Sequence, residues 1–256
     1  MNQLYIWEHH VFYLGALPDV SEHRLGAAAL CVGVDRSFQV LESESSAWCA
    51  CRSVLIPPGC LHAIQVEGAI MAILFLEPES DHYAKLRDIM QDGDGQCLYG
   101  LANENDVISL LRDLYQHHQD AATTHQLLNQ IINFNPKIRS IYHDLDMRIN
   151  RVIQLIKEDP SQSYSVEELA DRVHLSPTRL VHLFKEQAGV PIRRFRQWNR
   201  MKSVVEYVAA GQTLTDAALN AGFSDSAHLS RAFRNMFGIK PSFLFRRSAD
   251  LNILFG

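Results

Sequence analysis

Between residues 168 and 241 the chain nearly repeats itself, and this repeat limits the fold more than any other feature. The segment ELADRVHLSPTRLVHLFKEQAGVP (168–191) aligns with DAALNAGFSDSAHLSRAFRNMFGIKP (216–241). Ala170 falls on Ala218 and Ser176 on Ser224 at an offset of 48. Leu180, Phe184, Lys185 and Gly189 then fall on Leu229, Phe233, Arg234 and Gly238 at an offset of 49. One residue inserted near the start of the second helix accounts for the change. Each copy reads as short helix, tight turn, second helix, with a small residue (Ala170, Ala218) where two helices cross closely; this is the helix-turn-helix plan. The turn carries Gly222 in the second copy, whereas the first departs from the pattern with His174.

The second helix of each copy has two faces. Leu180, Leu183 and Phe184 point inward in the first copy, leaving Thr178, Arg179, Val181, His182 and Lys185 toward solvent. Leu229, Ala232 and Phe233 point inward in the second, leaving Ser226, Ala227, His228, Arg231 and Arg234 outward. Start signals agree with this reading: Ser165 and Glu168 have capping-box spacing, and Ser176-Pro177 places a cap before a first-turn proline. Upstream, Met147, Ile149, Val152, Ile153 and Ile156 form one apolar stripe ended by Asp159-Pro160. Between the copies a helix is expected from Pro191 to Ala210, stopped by Gly211, with Ile192, Phe195, Trp198, Met201, Val205 and Val208 along one side. Its length is about 30 Å at 1.5 Å per residue. Major-groove faces on one side of B-DNA lie about 34 Å apart, so such a spacer can present both second helices to adjacent grooves.

Charge supports a polyanion partner for this part alone. The net charge of −5 divides unevenly: residues 1–150 hold 9 Lys and Arg against 19 Asp and Glu, while residues 151–256 hold 15 against 10. An acidic half is thus joined to a basic one. Apolar residues make up 47% and charged residues 21%, a composition that excludes a disordered or low-complexity chain. No apolar run approaches the ~20 residues of a membrane span, and MNQLYIWEHH lacks the pattern of a secretory signal. Five cysteines are too few for a disulfide framework at this length. A reduced, cytoplasmic protein with no membrane partner is the expectation.

The first eighty residues read as short strands at 11–14, 27–34, 37–41, 47–56, 63–66 and 69–76. They are broken by Gly15, Pro18, Gly33, a polar turn at 42–46, Pro57-Pro58-Gly59 and Gly68, as in a small sandwich or barrel. From Asp81 the period becomes helical, through Tyr83, Leu86, Ile89 and Met90, then Val107, Leu110, Leu111, Leu114 and Tyr115, then Leu127, Leu128, Ile131 and Ile132. Pro136 interrupts it. The Leu110/Leu111/Leu114 stripe needs covering, by the barrel or by a second chain. The expected class is therefore α+β in two domains. A β-barrel occupies 1–80, a helical dimerisation or linker region 81–145, and an all-α double helix-turn-helix domain 146–256.

The segment Ala-Gly-Phe-Ser-Asp-Ser-x-His-Leu-Ser-Arg-Ala-Phe-Arg-x-x-Phe-Gly-Ile-x-Pro (221–241) closely resembles the C-terminal signature of the AraC/XylS family of bacterial transcription regulators. The resemblance spans about residues 147–247. It implies a seven-helix domain that binds double-stranded DNA through two consecutive major grooves. Carried over residue by residue, it puts base contacts on Thr178, Val181, His182, Ser226, Ala227, His228 and Arg231. Val181 and Ala227 have no hydrogen bond to offer, so direct readout leans on Arg231, whose fork fits a guanine edge. Arg179, Lys185, Arg193, Arg194 and Arg234 suit phosphates. The resemblance also implies a homodimer and, for an activator, contact with RNA polymerase.

Ser-Val-Leu-Ile-Pro-Pro-Gly-Cys-Leu-His (53–62) resembles the strand and Pro-Pro-Gly–His turn of cupin barrels, which such regulators often carry in front. Cupin enzymes gather several His and Glu ligands, whereas here His62 stands alone in its motif, with His23 as the relic of the other. A small effector held in the barrel interior near His23 and His62 is the expected role, with no certain cofactor and no catalytic residues. Two alternatives stay open at this point. Cys49 and Cys51 share one strand face near Cys60 and His62, a set that suits zinc, copper(I) or thiol redox sensing. The other is a metal-dependent cupin enzyme with a vestigial DNA-binding tail.

Overall fold

A computed structural model describes residues 1–7, 10–42, 47–77, 79–93, 96–132, 145–245 and 251–256. His9, the polar turn beyond Glu42 and the expected break at Pro136 lie outside them. The fold is α+β, in two compact units: residues 1–141 together with 247–256, and residues 142–246.

The first unit is β-rich. Its strands are β1 (Asn2–Ile6), β2 (His10–Ala16), β3 (Val20–Arg24), β4 (Ala28–Gly33), β5 (Phe38–Glu42), β6 (Cys49–Cys51), β7 (Ser53–Ile56), β8 (Leu61–Gln65) and β9 (Ile70–Leu76). Then follow α1 (Asp81–Arg87), β10 (Met90–Asp92), β11 (Leu98–Leu101), α2 (Glu104–His117), α3 (Ala121–Ile132) and, from the far end of the chain, β12 (Leu251–Phe255). One sheet runs β10-β11-β7-β4-β9-β2-β1-β12 and the other β3-β8-β5-β6. On the larger sheet Phe12, Leu14, Leu30, Val32, Leu55 and Leu74 share a buried cluster with Leu86, Val107, Leu111, Leu114, Leu128 and Ile131 of the helices. The intervening residues Tyr13, Cys31, Val54 and Ile73 are buried too, on the opposite face that strand alternation gives them. The sheet covers Leu111 and Leu114 of the α2 stripe, with Leu110 half-buried beside them.

Three expectations need correcting. The run 47–56 is not one strand: it breaks at Arg52, with β6 in the small sheet and β7 in the large one. The Arg52 guanidinium holds that corner by donating to the Gly33 and Val34 carbonyls at 2.8–3.2 Å. Residues 81–145 are not wholly helical, because β10 and β11 extend the large sheet beside β7. Residues 251–256 do not stay with the helical unit, since β12 pairs in parallel with β1 from Asn2↔Leu251 to Ile6↔Phe255. These short strands are held by partners distant in sequence, so local periodicity does not reveal them.

The second unit comprises α4 (Met147–Glu158), α5 (Val166–Arg172), α6 (Pro177–Ala188), α7 (Ile192–Ala209), α8 (Leu214–Asn220), α9 (Ser226–Phe237) and α10 (Pro241–Phe245). Ile149, Val152, Ile153 and Ile156 of α4 are at most 2% exposed, each worth about 1.5–3 kcal/mol on full burial. They pack with Leu169, Leu180, Phe184 and Phe195 in one cluster. The later part of α7 buries Trp198, Met201 and Val204, the last in place of the expected Val205, and packs on α8 and α9. Trp198 meets Phe237 with ring centroids 6.1 Å apart. One helix therefore belongs to both cores.

The two helix-turn-helix copies close alike. The Leu175 N–H donates to the Ala170 carbonyl at 3.0 Å, and the Phe223 N–H to the Ala218 carbonyl at 2.9 Å. These are the six-to-one bonds of a Schellman turn, which needs a left-handed residue just before the donor. That residue is His174 (φ 54°) in one copy and Gly222 (φ 84°) in the other. A Cβ on Gly222 would sit 2.6 Å from the Ser161 carbonyl oxygen, itself held by Arg200 at 3.2 Å. Glycine is required there, whereas His174 is exposed and meets only backbone strain. We expect His174→Gly to stabilise the helical unit by about 1 kcal/mol and Gly222→Ala to cost about 1–3 kcal/mol, measured by denaturant unfolding.

Candidate nucleic-acid interface

Local sequence positions the outer helices. In α5 the capping box forms as expected, with the Ser165 N–H donating to Glu168 at 2.7 Å and the Glu168 N–H to Ser165 Oγ at 3.0 Å. Ser176 caps α6 by accepting the Arg179 N–H, and Pro177 opens the helix. The cap of α9 is Asp225, which accepts the His228 N–H at 2.6 Å. Ser176 and Asp225 are thus the equivalent caps, and Ser224 is the extra residue of the second copy rather than the counterpart of Ser176. Its hydroxyl donates to Asp225 at 3.0 Å and lies 3.2 Å from His228 Nδ1. With the caps aligned, His182 corresponds to Arg231, Arg179 to His228 and Lys185 to Arg234.

Leu180 and Leu229 are fully buried, and Leu183, Phe184, Ala232 and Phe233 nearly so. Thr178, Arg179, Val181, His182 and Lys185 on α6 are exposed, as are Ser226, Ala227, Arg231 and Arg234 on α9. Arg193 is exposed and Arg194 half-buried at the start of α7. His228 differs from the others: it is half-buried, engaged by Ser224, and edge-on to Phe223 with ring centroids 5.3 Å apart. Arg196 and Arg200 turn to the 160–164 loop, donating to the carbonyls of Tyr164 and Pro160 at 2.7 and 2.9 Å. Nothing in the sequence separated these two structural arginines from Arg193 and Arg194 beside them. The spacer α7 has 18 residues, about 27 Å, with Pro191 as its cap rather than its first residue.

In the β-rich unit, His23 and His62 are register partners on β3 and β8, both buried, with ring centroids 4.2 Å apart. Glu42 on β5 partners His62 from the other side. The four-residue set of Cys49, Cys51, Cys60 and His62 does not assemble. Cys49 is exposed and Cys51 half-buried on β6, while Cys60 is buried with Cys97, a residue the sequence reading left out. The Cys60 and Cys97 sulfurs are 3.8 Å apart. Only the pairings of β11 with β7 and of β5 with β8 bring them together, so spacing carried no signal.

The description "Helix-turn-helix domain" fits residues 169–247. The arabinose operon regulatory protein of Escherichia coli K12 is 26% identical over 174 residues, covering 66% of this chain and 53% of that protein. The XylDLEGF operon transcriptional activator of Pseudomonas putida is 27% identical over 113 residues, covering 43% and 35%. The chain spans about half the length, or less, of these curated relatives. In fold, ToxT from Vibrio cholerae strain SCE256 aligns with a TM-score of 0.64 at 15% identity, covering 91% of this chain and 96% of that one. A form of ToxT with bound unsaturated fatty acid aligns at 0.60 and 14% identity, covering 95% and 98%. Among the described residues no helix is long and apolar enough to cross a membrane.

The helix caps carry a pH dependence. The Asp146 carboxyl is held at about 2, first by the Arg148 side chain and then by the Arg148 N–H. Asp225 is held low by the His228 N–H and the Ser224 hydroxyl. A depressed carboxylate stabilises the fold above its unfolded value and loses that contribution as pH falls through the folded value. Acid titration followed by circular dichroism is expected to weaken the helical unit between about pH 4 and 2, with Asp146→Asn flattening that part of the curve.

Proposed function

We propose that the C-terminal unit, which matches a helix-turn-helix domain, is that of an AraC/XylS-type regulator, and that the chain is a sequence-specific transcription regulator of double-stranded DNA whose activity a small effector modulates. The observation that carries this reading is the pair of like-built motifs, each with a buried leucine-phenylalanine seam and an exposed, partly basic outer face, fastened to one helix. In it α6 and α9 enter successive major grooves. The spacer, about 27 Å long, is of the same order as the 34 Å groove repeat, which suits that placement.

Arg231 reads a base edge, and His182 takes the equivalent place on α6. Thr178, Val181, Ser226 and Ala227 supply short polar and apolar contacts, including thymine methyls. Arg179, Lys185, Arg193, Arg194 and Arg234 hold phosphates. His228, engaged in its turn, sets the start of α9 and adds at most one contact from its exposed edge. The effector binds in the β-rich unit near His23 and His62. Support for an effector there comes from the likeness of fold to ToxT, which has been solved with an unsaturated fatty acid bound. The protein is no enzyme in this reading; it works in the cytoplasm, contacts RNA polymerase where it activates, and dimerises through a surface other than Leu111 and Leu114.

Arg231→Ala is expected to cost about 1–3 kcal/mol on the specific site and to relax preference at one base pair. Lys185→Ala is expected to weaken specific and random DNA alike and to reduce the slope of log affinity against log salt by about 1. Fluorescence anisotropy over a salt series checks both. Equal losses on the two DNAs for Arg231→Ala, or a flat salt dependence, would contradict the assignment.

A further inference from the structure

Beside the effector region lies a cluster that DNA binding does not use. Glu42 ends β5, Cys60 and His62 lie at the start of β8, and Cys97 precedes β11. One ligand atom each from Glu42, Cys60 and Cys97 lies within 4.8 Å of the others. Cys60 and Cys97 are at most 4% exposed. The position of Glu42 is secured: its carboxylate accepts the Cys97 N–H at 3.0 Å and the Tyr99 hydroxyl at 2.8 Å. His62, 1% exposed, has its Nδ1 at the Cys60 carbonyl, 3.1 Å away. Its Nε2 is buried with no hydrogen-bond partner among the described residues. We infer that Cys60, Cys97 and Glu42 bind one zinc-type divalent ion, with water in the fourth position.

Two observations favour this over a disulfide. Two thiolates on a tetrahedral ion at 2.3 Å per bond stand about 3.8 Å apart, which is the separation the two sulfurs have, whereas a disulfide needs about 2.05 Å. The donor set joins two sulfurs to a carboxylate, which selects zinc-type ions over magnesium or calcium. Metal binding releases the thiol protons to solvent. The ligands come from both sheets, β5 and β8 on one side and β11 on the other, so the ion ties them together within the β-rich unit.

The test uses the full chain, reduced and stripped with chelator, and titrated first with cobalt(II) and then with zinc(II). One equivalent of cobalt is expected, with intense tetrahedral visible bands and a sulfur-to-metal charge-transfer band, both lost when zinc displaces it. Cys60→Ser and Cys97→Ser should weaken binding ~10-fold or more, and Cys49→Ser and Cys51→Ser should leave it unchanged. The wild-type spectrum reports the ligand set even if a variant fails to fold. Weak octahedral bands without charge transfer would overturn the proposal. So would unchanged affinity in Cys97→Ser, or reduced protein that takes up no metal while air joins Cys60 to Cys97.

Discussion

The helical unit depends on one constraint: α7 is part of two cores at once. Phe195 packs with the apolar stripe of α4 and the seam of α6, and three residues later Trp198 lies against Phe237 of α9. Neither helix-turn-helix copy can shift along α7 without leaving a large aromatic side chain unpacked, which for Phe or Trp is a matter of several kcal/mol. The separation of α6 and α9 is therefore set by the number of residues between two buried aromatic contacts. Arg196 and Arg200, on the same helix, bind the 160–164 loop, and that loop presses on Gly222. The first copy's approach and the second copy's turn are thus fastened to the same stretch of backbone.

Much of this unit was legible because its determinants are local. Caps, Schellman turns and an inward Leu-x-x-x-Phe pair all act within a few residues, so the repeat could be read directly. The error within it was equally local. Matching Ser176 to Ser224 by identity misplaced the insertion, because a serine and an aspartate can each cap a helix, and the geometry chose Asp225. The two arginines that proved structural were illegible for a different reason. Their carbonyl partners lie more than 30 residues away and offer no side-chain signature.

The β-rich unit was harder to read, and the shortfall has one cause. The strands found by alternation are those buried on a continuous apolar face, such as β4 and β9. The missed ones, β1, β3, β10, β11 and β12, are three to five residues long and are defined by the neighbour they pair with. The same holds for chemistry. Cys49 and Cys51 looked like a site because they are close in sequence, but β6 leaves them at the surface. Cys60 and Cys97, 37 residues apart, were joined only once the strand order was known.

The return of the last residues to pair with β1 makes the helical unit an insertion within the other rather than an appendage. During synthesis the β1 edge of the larger sheet lacks its partner strand until residues 251–255 have been made, after the whole helical unit. Two connections, not one, then link the halves.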